Sequence, residues 1–158
     1  MNTPIETAQV HDSVYWFNQT ATERVETARR VSNQLRFAGR LEDFLNGRFL
    51  EPLEEVVRRD GVAFVEFTPG GLRIGSTKEK DITEFRFFVE RLANGHTLRI
   101  SLLRIRNEDS NVCSSWTISK APKDNWSMMD IADDQLAHIA QAAGTALADA
   151  TYQQETGE

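Results

Sequence analysis

Apolar residues recur along this chain with two different periods, and the change of period divides it. Val25, Ala28, Val31, Leu35, Ala38, Leu41 and Leu45 are spaced by three or four, which lines one face of a helix. This spacing predicts a long helix over Thr20–Asn46. Thr20 followed by Glu23 has the form of a capping box, in which hydroxyl and carboxylate each satisfy an amide of the first turn. Asn46-Gly47 suits a left-handed exit, and Gly39 is a place for a bend. A second, shorter helix is expected from Pro52 to Arg59. Proline fits a first helical position, Glu54 and Glu55 complement the helix dipole at its start, and Arg58 and Arg59 do so at its end.

From Val62 the period falls to two. Val62–Thr68 and Leu72–Gly75 flank Pro69-Gly70-Gly71 and read as a hairpin. Ile82–Leu92 sets Phe85, Phe87 and Val89 against Glu84, Arg86, Phe88 and Glu90. Asn94-Gly95 then turns tightly into Thr97–Arg106. Leu98, Ile100 and Leu102 share a face there, whereas Leu103 and Ile105 lie opposite, so both sides are covered or a bulge sits near Leu102. Glu108–Asn111 reads as a polar turn and Val112–Ser119 as a fifth strand. Ala121–Ser127 is expected to be a loop. A closing helix runs from Asp130 or Asp133 to Tyr152, burying Leu136, Ile139, Ala143, Leu147 and Ala150. Ala140, Gly144 and Ala148 form a small-residue track along it.

The expected fold class is therefore α+β: a long N-terminal helix, a short second helix, a five-stranded antiparallel meander, and a C-terminal helix packed on the sheet. With 158 residues, 40% hydrophobic and 27% charged, the chain fits one domain over 1–158, with residues 1–12 and 153–158 expected to be flexible. A lone cysteine, Cys113, forms no intrachain disulfide, the start has no secretory character, and no stretch is apolar enough for a membrane span. The expected place is the cytoplasm. Of the net charge of −6, the stretch 121–158 supplies the largest share, with seven acids against Lys123 alone. Bulk charge thus disfavours nucleic acid, although 61–120 is slightly basic.

Catalytic motifs are not evident. His11, His96 and His138 have no second histidine or cysteine at ligand spacing. Asp130, Asp133 and Asp134 suit capping and the helix dipole better than a cation. Gly70, Gly71 and Gly75 match no phosphate-loop pattern. No catalytic residue, cofactor or metal is expected. Arginine supplies 14 of the 18 basic residues, a residue suited to interfaces and to forked recognition of carboxylate or phosphate. Arg29, Arg36 and Arg40 share a side of the long helix. Arg73, Arg86, Arg99, Arg104 and Arg106 lie on the strands, with Phe88 and Trp116 interleaved, and the plain reading pairs such arginines with Glu26, Asp43, Glu84 and Glu90.

The expected function is that of a non-enzymatic protein–protein interaction domain, an adaptor, chaperone or inhibitor, working as a homodimer. Its partner surface would be built from Arg29, Arg36, Arg40, Arg86, Phe88, Arg99, Arg104, Arg106 and Trp116. One alternative is an accessory nucleic-acid binder using the arginines of the sheet and long helix. Another is a small-ligand site between sheet and closing helix, lined by Phe85, Phe87, Trp116 and Leu136. Val14, Tyr15, Trp16 and Phe17 form an aromatic patch ahead of the long helix, open to three readings: a strand, a staple or a contact surface.

Overall fold

The computed structural model describes residues 4–120 and 125–156, with side chains for 12–120 and 125–152. Three helices, α1 (Pro4–Phe49), α2 (Leu53–Arg59) and α3 (Asp133–Thr156), accompany five strands. The strands are β1 (Phe64–Thr68), β2 (Gly71–Gly75), β3 (Thr83–Arg91), β4 (Thr97–Arg106) and β5 (Asp109–Ser119). They pair in sequence order as one antiparallel meander. The α+β architecture and its element order are those the hydrophobic periods predict. Most of the expected loop at 121–127 lies outside the described residues, as do 1–3 and 157–158; residues 4–12 belong to α1 and 153–156 to α3.

The long helix departs from its predicted bounds at both ends. It is bent and begins at Pro4, so the aromatic patch and Thr20 are interior to it. Thr20 is therefore no cap. At the other end α1 runs through Asn46-Gly47 to Phe49, because Asn46 is engaged by the sheet. Its side chain accepts from Phe87 N–H at 2.7 Å and donates to Phe87 C=O at 3.3 Å. The buried side is also rotated from the predicted stripe. Gln34, Phe37, Ala38, Leu41 and Leu45 are buried, whereas Val25 and Leu35 are exposed.

Register shows how the pleat sorts the strands. Phe85, Phe87 and Val89 stand opposite Arg104, Leu102 and Ile100, and Ile100 and Leu98 stand opposite Trp116 and Ile118. Directly opposed residues share a face, so these belong to the side roofed by all three helices. There they join Leu72, Ile74, Leu41, Leu45, Val57, Ile139 and Leu147 in one core. Among the described residues no helix covers the other face, where Arg73, Phe88 and Arg99 are at least one-third exposed. The predicted irregularity is a register shift at Leu102/Leu103, which leaves Cys113 of β5 without an opposite residue. The two-residue turn is Asn107-Glu108, both with positive φ (52° and 70°), as a type I′ hairpin requires. β5 accordingly starts at Asp109 and not at Val112, and Asn94-Gly95 sits inside a longer loop between β3 and β4.

Helix side chains cover much of the exposed strand backbone. β3 extends beyond its pairing with β2, and Asn46 and Glu42 of α1 take up the Phe87 and Val89 groups left over there, the latter at 2.9 Å. On β1, Glu54 accepts from Phe67 N–H at 2.6 Å and Arg58 donates to Val65 C=O at 3.1 Å. On β5, Gln135 donates to Thr117 C=O at 3.2 Å. Unpaired strand edges are templates for another chain, so where this cover ends matters.

Candidate functional site

The pleat divides the arginines expected to form one surface. Arg86, Phe88 and Arg99 lie on the open face of the sheet, with Arg73, Leu103 and Ile105. Arg104, Arg106 and Trp116 lie on the helix-covered face. The open face is electrically balanced: Glu66 pairs with Arg73 at 3.5 Å and Glu90 with Arg99 at 3.4 Å. Arg86 rests over the Phe88 ring, 5.8 Å from its centroid, a cation–π contact. Arg106 reaches Asp81 at 3.6 Å. Of the helical arginines, Arg36 and Arg40 border a shallow hollow beside Asn125 and Trp126, while Arg29 lies in the exposed part of α1. Trp126 is itself stacked on Phe37 at 5.8 Å.

Among the described residues Arg104, like Arg29, Arg36, Arg40 and Arg86, has no carboxylate within ion-pair distance, whereas Arg58, Arg73, Arg99 and Arg106 each have one; its place in a cleft lining sets it apart. It opens into a cleft of about 580 Å³ between β5 and α3. Phe85, Ser114 and Trp116 contribute from the sheet; His138, Gln141, Thr145 and Asp149 contribute from α3, with Ala142, Ala146 and Ala150 between them. The α3 residues recur at three and four positions, which places them along one side of that helix. Cys113 also lines the cleft. Partial burial pushes its thiol above the ordinary range, and the nearby Arg104 guanidinium pulls it back in part.

Comparison with protein families, curated proteins and solved structures finds no match to this chain. Its own geometry therefore carries the functional argument. Of the four residues expected around a small ligand, Phe85 and Trp116 do line the cleft, whereas Phe87 is wholly buried and Leu136 packs against the core. Asp130 closes a capping box with Ser127 over the single 3₁₀ turn Met128–Asp130 and pairs with Lys120 at 3.0 Å. Among the described residues no group of three or more His, Cys, Asp or Glu side chains is placed to hold a metal ion. No described helix is long and apolar enough to cross a membrane.

A second surface lies on α1. From Asp12 to Arg30 every residue is exposed, Phe17 to 72%. That stretch is about 28 Å of helix at 1.5 Å per residue. Val14, Ala21, Ala28 and Leu35 follow one another at seven-residue spacing, and Phe17 and Val31 fall three residues after the first and third of them. These are the a and d positions of a heptad repeat, with Arg24 at the d position between Phe17 and Val31. The positions on either side of this seam, Ser13, Thr20 and Thr27 and then Asn18, Val25 and Ser32, carry no charge. Periodicity alone shows the stripe in part, but only the packing shows that every residue from Asp12 to Arg30 is left exposed.

Proposed function

We propose that this protein is a non-enzymatic protein–protein interaction module of the cytoplasm, an adaptor, chaperone or inhibitor, and that it works as a homodimer joined through the N-terminal part of α1. The observation that carries this reading is the unbroken exposure from Asp12 to Arg30 of a helix with an apolar seam. Val, Thr, Asn and aromatic residues fill much of that stretch, and these are modest helix formers. A lone helix of such composition is marginal in water, since helices in proteins draw most of their stability from packing.

The flanking positions favour a second copy over an unrelated helix. Uncharged Ser, Thr and Asn on both sides give a charged partner nothing to pair with, yet bring no like-charge repulsion to self-association. Arg24 sets the direction. In a parallel pair it would face Arg24 of the second copy, whereas an antiparallel pair sets it against Ala21 and Phe17 against Ala28, large opposite small. The nucleic-acid reading draws less support, because Glu66 and Glu90 already offset Arg73 and Arg99 on the open sheet face.

Light scattering on the eluting protein tests the proposal. The expected mass is twice 17.9 kDa, and the double substitution Val14→Glu with Phe17→Glu should halve it while leaving the sheet core folded, since both side chains are exposed. A single-chain mass at high micromolar concentration, or an unchanged mass for the double variant, would overturn it.

A further inference from the structure

We infer that the cleft between β5 and α3 receives an extended peptide segment, which joins the sheet as a sixth strand on β5 and presents one acidic side chain to Arg104. The inference shares with the proposed function only the idea that the partner is a protein. It does not depend on dimerisation through α1.

Backbone geometry makes the first part of the case. β5 is an edge of the meander. Because Gln135 bonds Thr117 C=O from outside the sheet, the backbone groups of Thr117 face outward. In an antiparallel ladder the outward-facing residues alternate, so Ser115 turns its N–H and C=O the same way. Among the described residues no helix side chain bonds Ser115, in contrast to the cover given to Val65, Phe67, Phe87, Val89 and Thr117. The cover ends where the cleft begins, since Ser115 is part of its lining.

Space and charge make the second part. A paired strand needs about 4.8 Å beside its neighbour, and α3 borders that space with Ala142 and Ala146, whose small side chains keep it open. The volume falls in the range typical of binding clefts, about 300–1,000 Å³. In strand addition the backbone bonds supply affinity, and alternate side chains entering pockets supply specificity. Here the alternate positions meet Arg104, a cation with no carboxylate partner among the described residues, and the partly buried ring of Trp116, with Phe85 buried behind it. Asp149 lies in the same lining without pairing to Arg104, so the site selects one acidic residue in a β-branched run and rejects a string of acids.

Random heptapeptides displayed on phage and panned against the full chain provide the test, followed by anisotropy titrations of the enriched sequences as labelled peptides. Enrichment of a single Asp or Glu within an alternating, β-branched heptapeptide is expected. Ser115→Pro removes one outward N–H, a substitution that an edge strand tolerates, and should weaken binding at least tenfold with an unchanged far-UV spectrum. Should that variant misfold, Ala146→Trp fills the cleft from the α3 side and should abolish binding. Arg104→Glu should turn the preference from acidic to basic peptides. Failure to enrich any sequence, equal binding by the Ala146→Trp protein, or the same acidic selection by Arg104→Glu would overturn the inference. The Val14→Glu, Phe17→Glu protein should bind the peptides as well as the parent does, so loss of the dimer and loss of the groove are separate results.

Discussion

Glu108 holds φ at 70° in the two-residue turn between β4 and β5. A left-handed backbone costs an L-residue about 1–2 kcal/mol through the crowding of Cβ against its carbonyl oxygen, and Asn, which stands at 107, tolerates it better. Glycine carries no Cβ but loses more chain entropy on folding, about 0.5–1 kcal/mol. Glu108→Gly should therefore raise stability by about 0.5–1 kcal/mol, a rise of about 1–4 °C in melting temperature for a chain of this size. A calorimetric scan that shows a lower midpoint would refute the assignment of strain to Glu108. The sequence around this turn gives a polar run with no Asn-Gly signal, whereas Asn94-Gly95 carries that signal and lies in a longer loop. Gln34 misleads in the opposite direction. It is 1% exposed, with neither side-chain amide atom hydrogen-bonded, and a polar residue at that position shifts the predicted stripe on α1 away from the true packing side.

Among the elements, periodicity identifies the five strands, the C-terminal helix and the later part of α1, because alternation at two and at three to four residues is a local property of the chain; α2 is marked by its proline and end charges instead. What periodicity does not contain is the pairing of α1 with β3. Asn46 looks like a helix exit when only its neighbour Gly47 is considered. Its actual partner, Phe87, is 41 residues away, and no local pattern announces such a contact. Asn46 is 2% exposed, and removing its amide strands a buried N–H and a buried C=O on β3. Each such group costs about 1–3 kcal/mol when left without a partner. Asn46→Ala should thus lower the unfolding free energy by about 2–6 kcal/mol, read as a shift of the urea midpoint. Glu55→Ala, which removes one exposed pair on α2, is expected to cost no more than about 1 kcal/mol. Equal effects of the two would mean that the Asn46 contact does not hold α1 to the sheet. The cleft was legible to a similar degree. Phe85 and Trp116 are conspicuous in the strands, but Arg104 joins them only through the β3–β4–β5 register.

Taken whole, the molecule has two parts that share a helix but little packing. One is the sheet with its roof, where the buried residues form a single cluster. The other is the stretch Asp12–Arg30, whose every residue is exposed. Regions without buried contacts open at far lower free energy than a core does. A region ordered by a second copy gains stability with concentration, by mass action. Heating the protein should therefore produce two steps at 222 nm. The first, from the exposed part of α1, should move to higher temperature when the protein is concentrated tenfold; the second, from the sheet and its roof, should hold its midpoint. In the Val14→Glu, Phe17→Glu protein the first step should vanish while the second remains, because the seam that orders the stretch is gone. A single transition with the same midpoint at both concentrations would show instead that the helix needs no partner. The seam would then be surface without a binding role, since a stretch stable on its own gives no reason for a second copy to cover it.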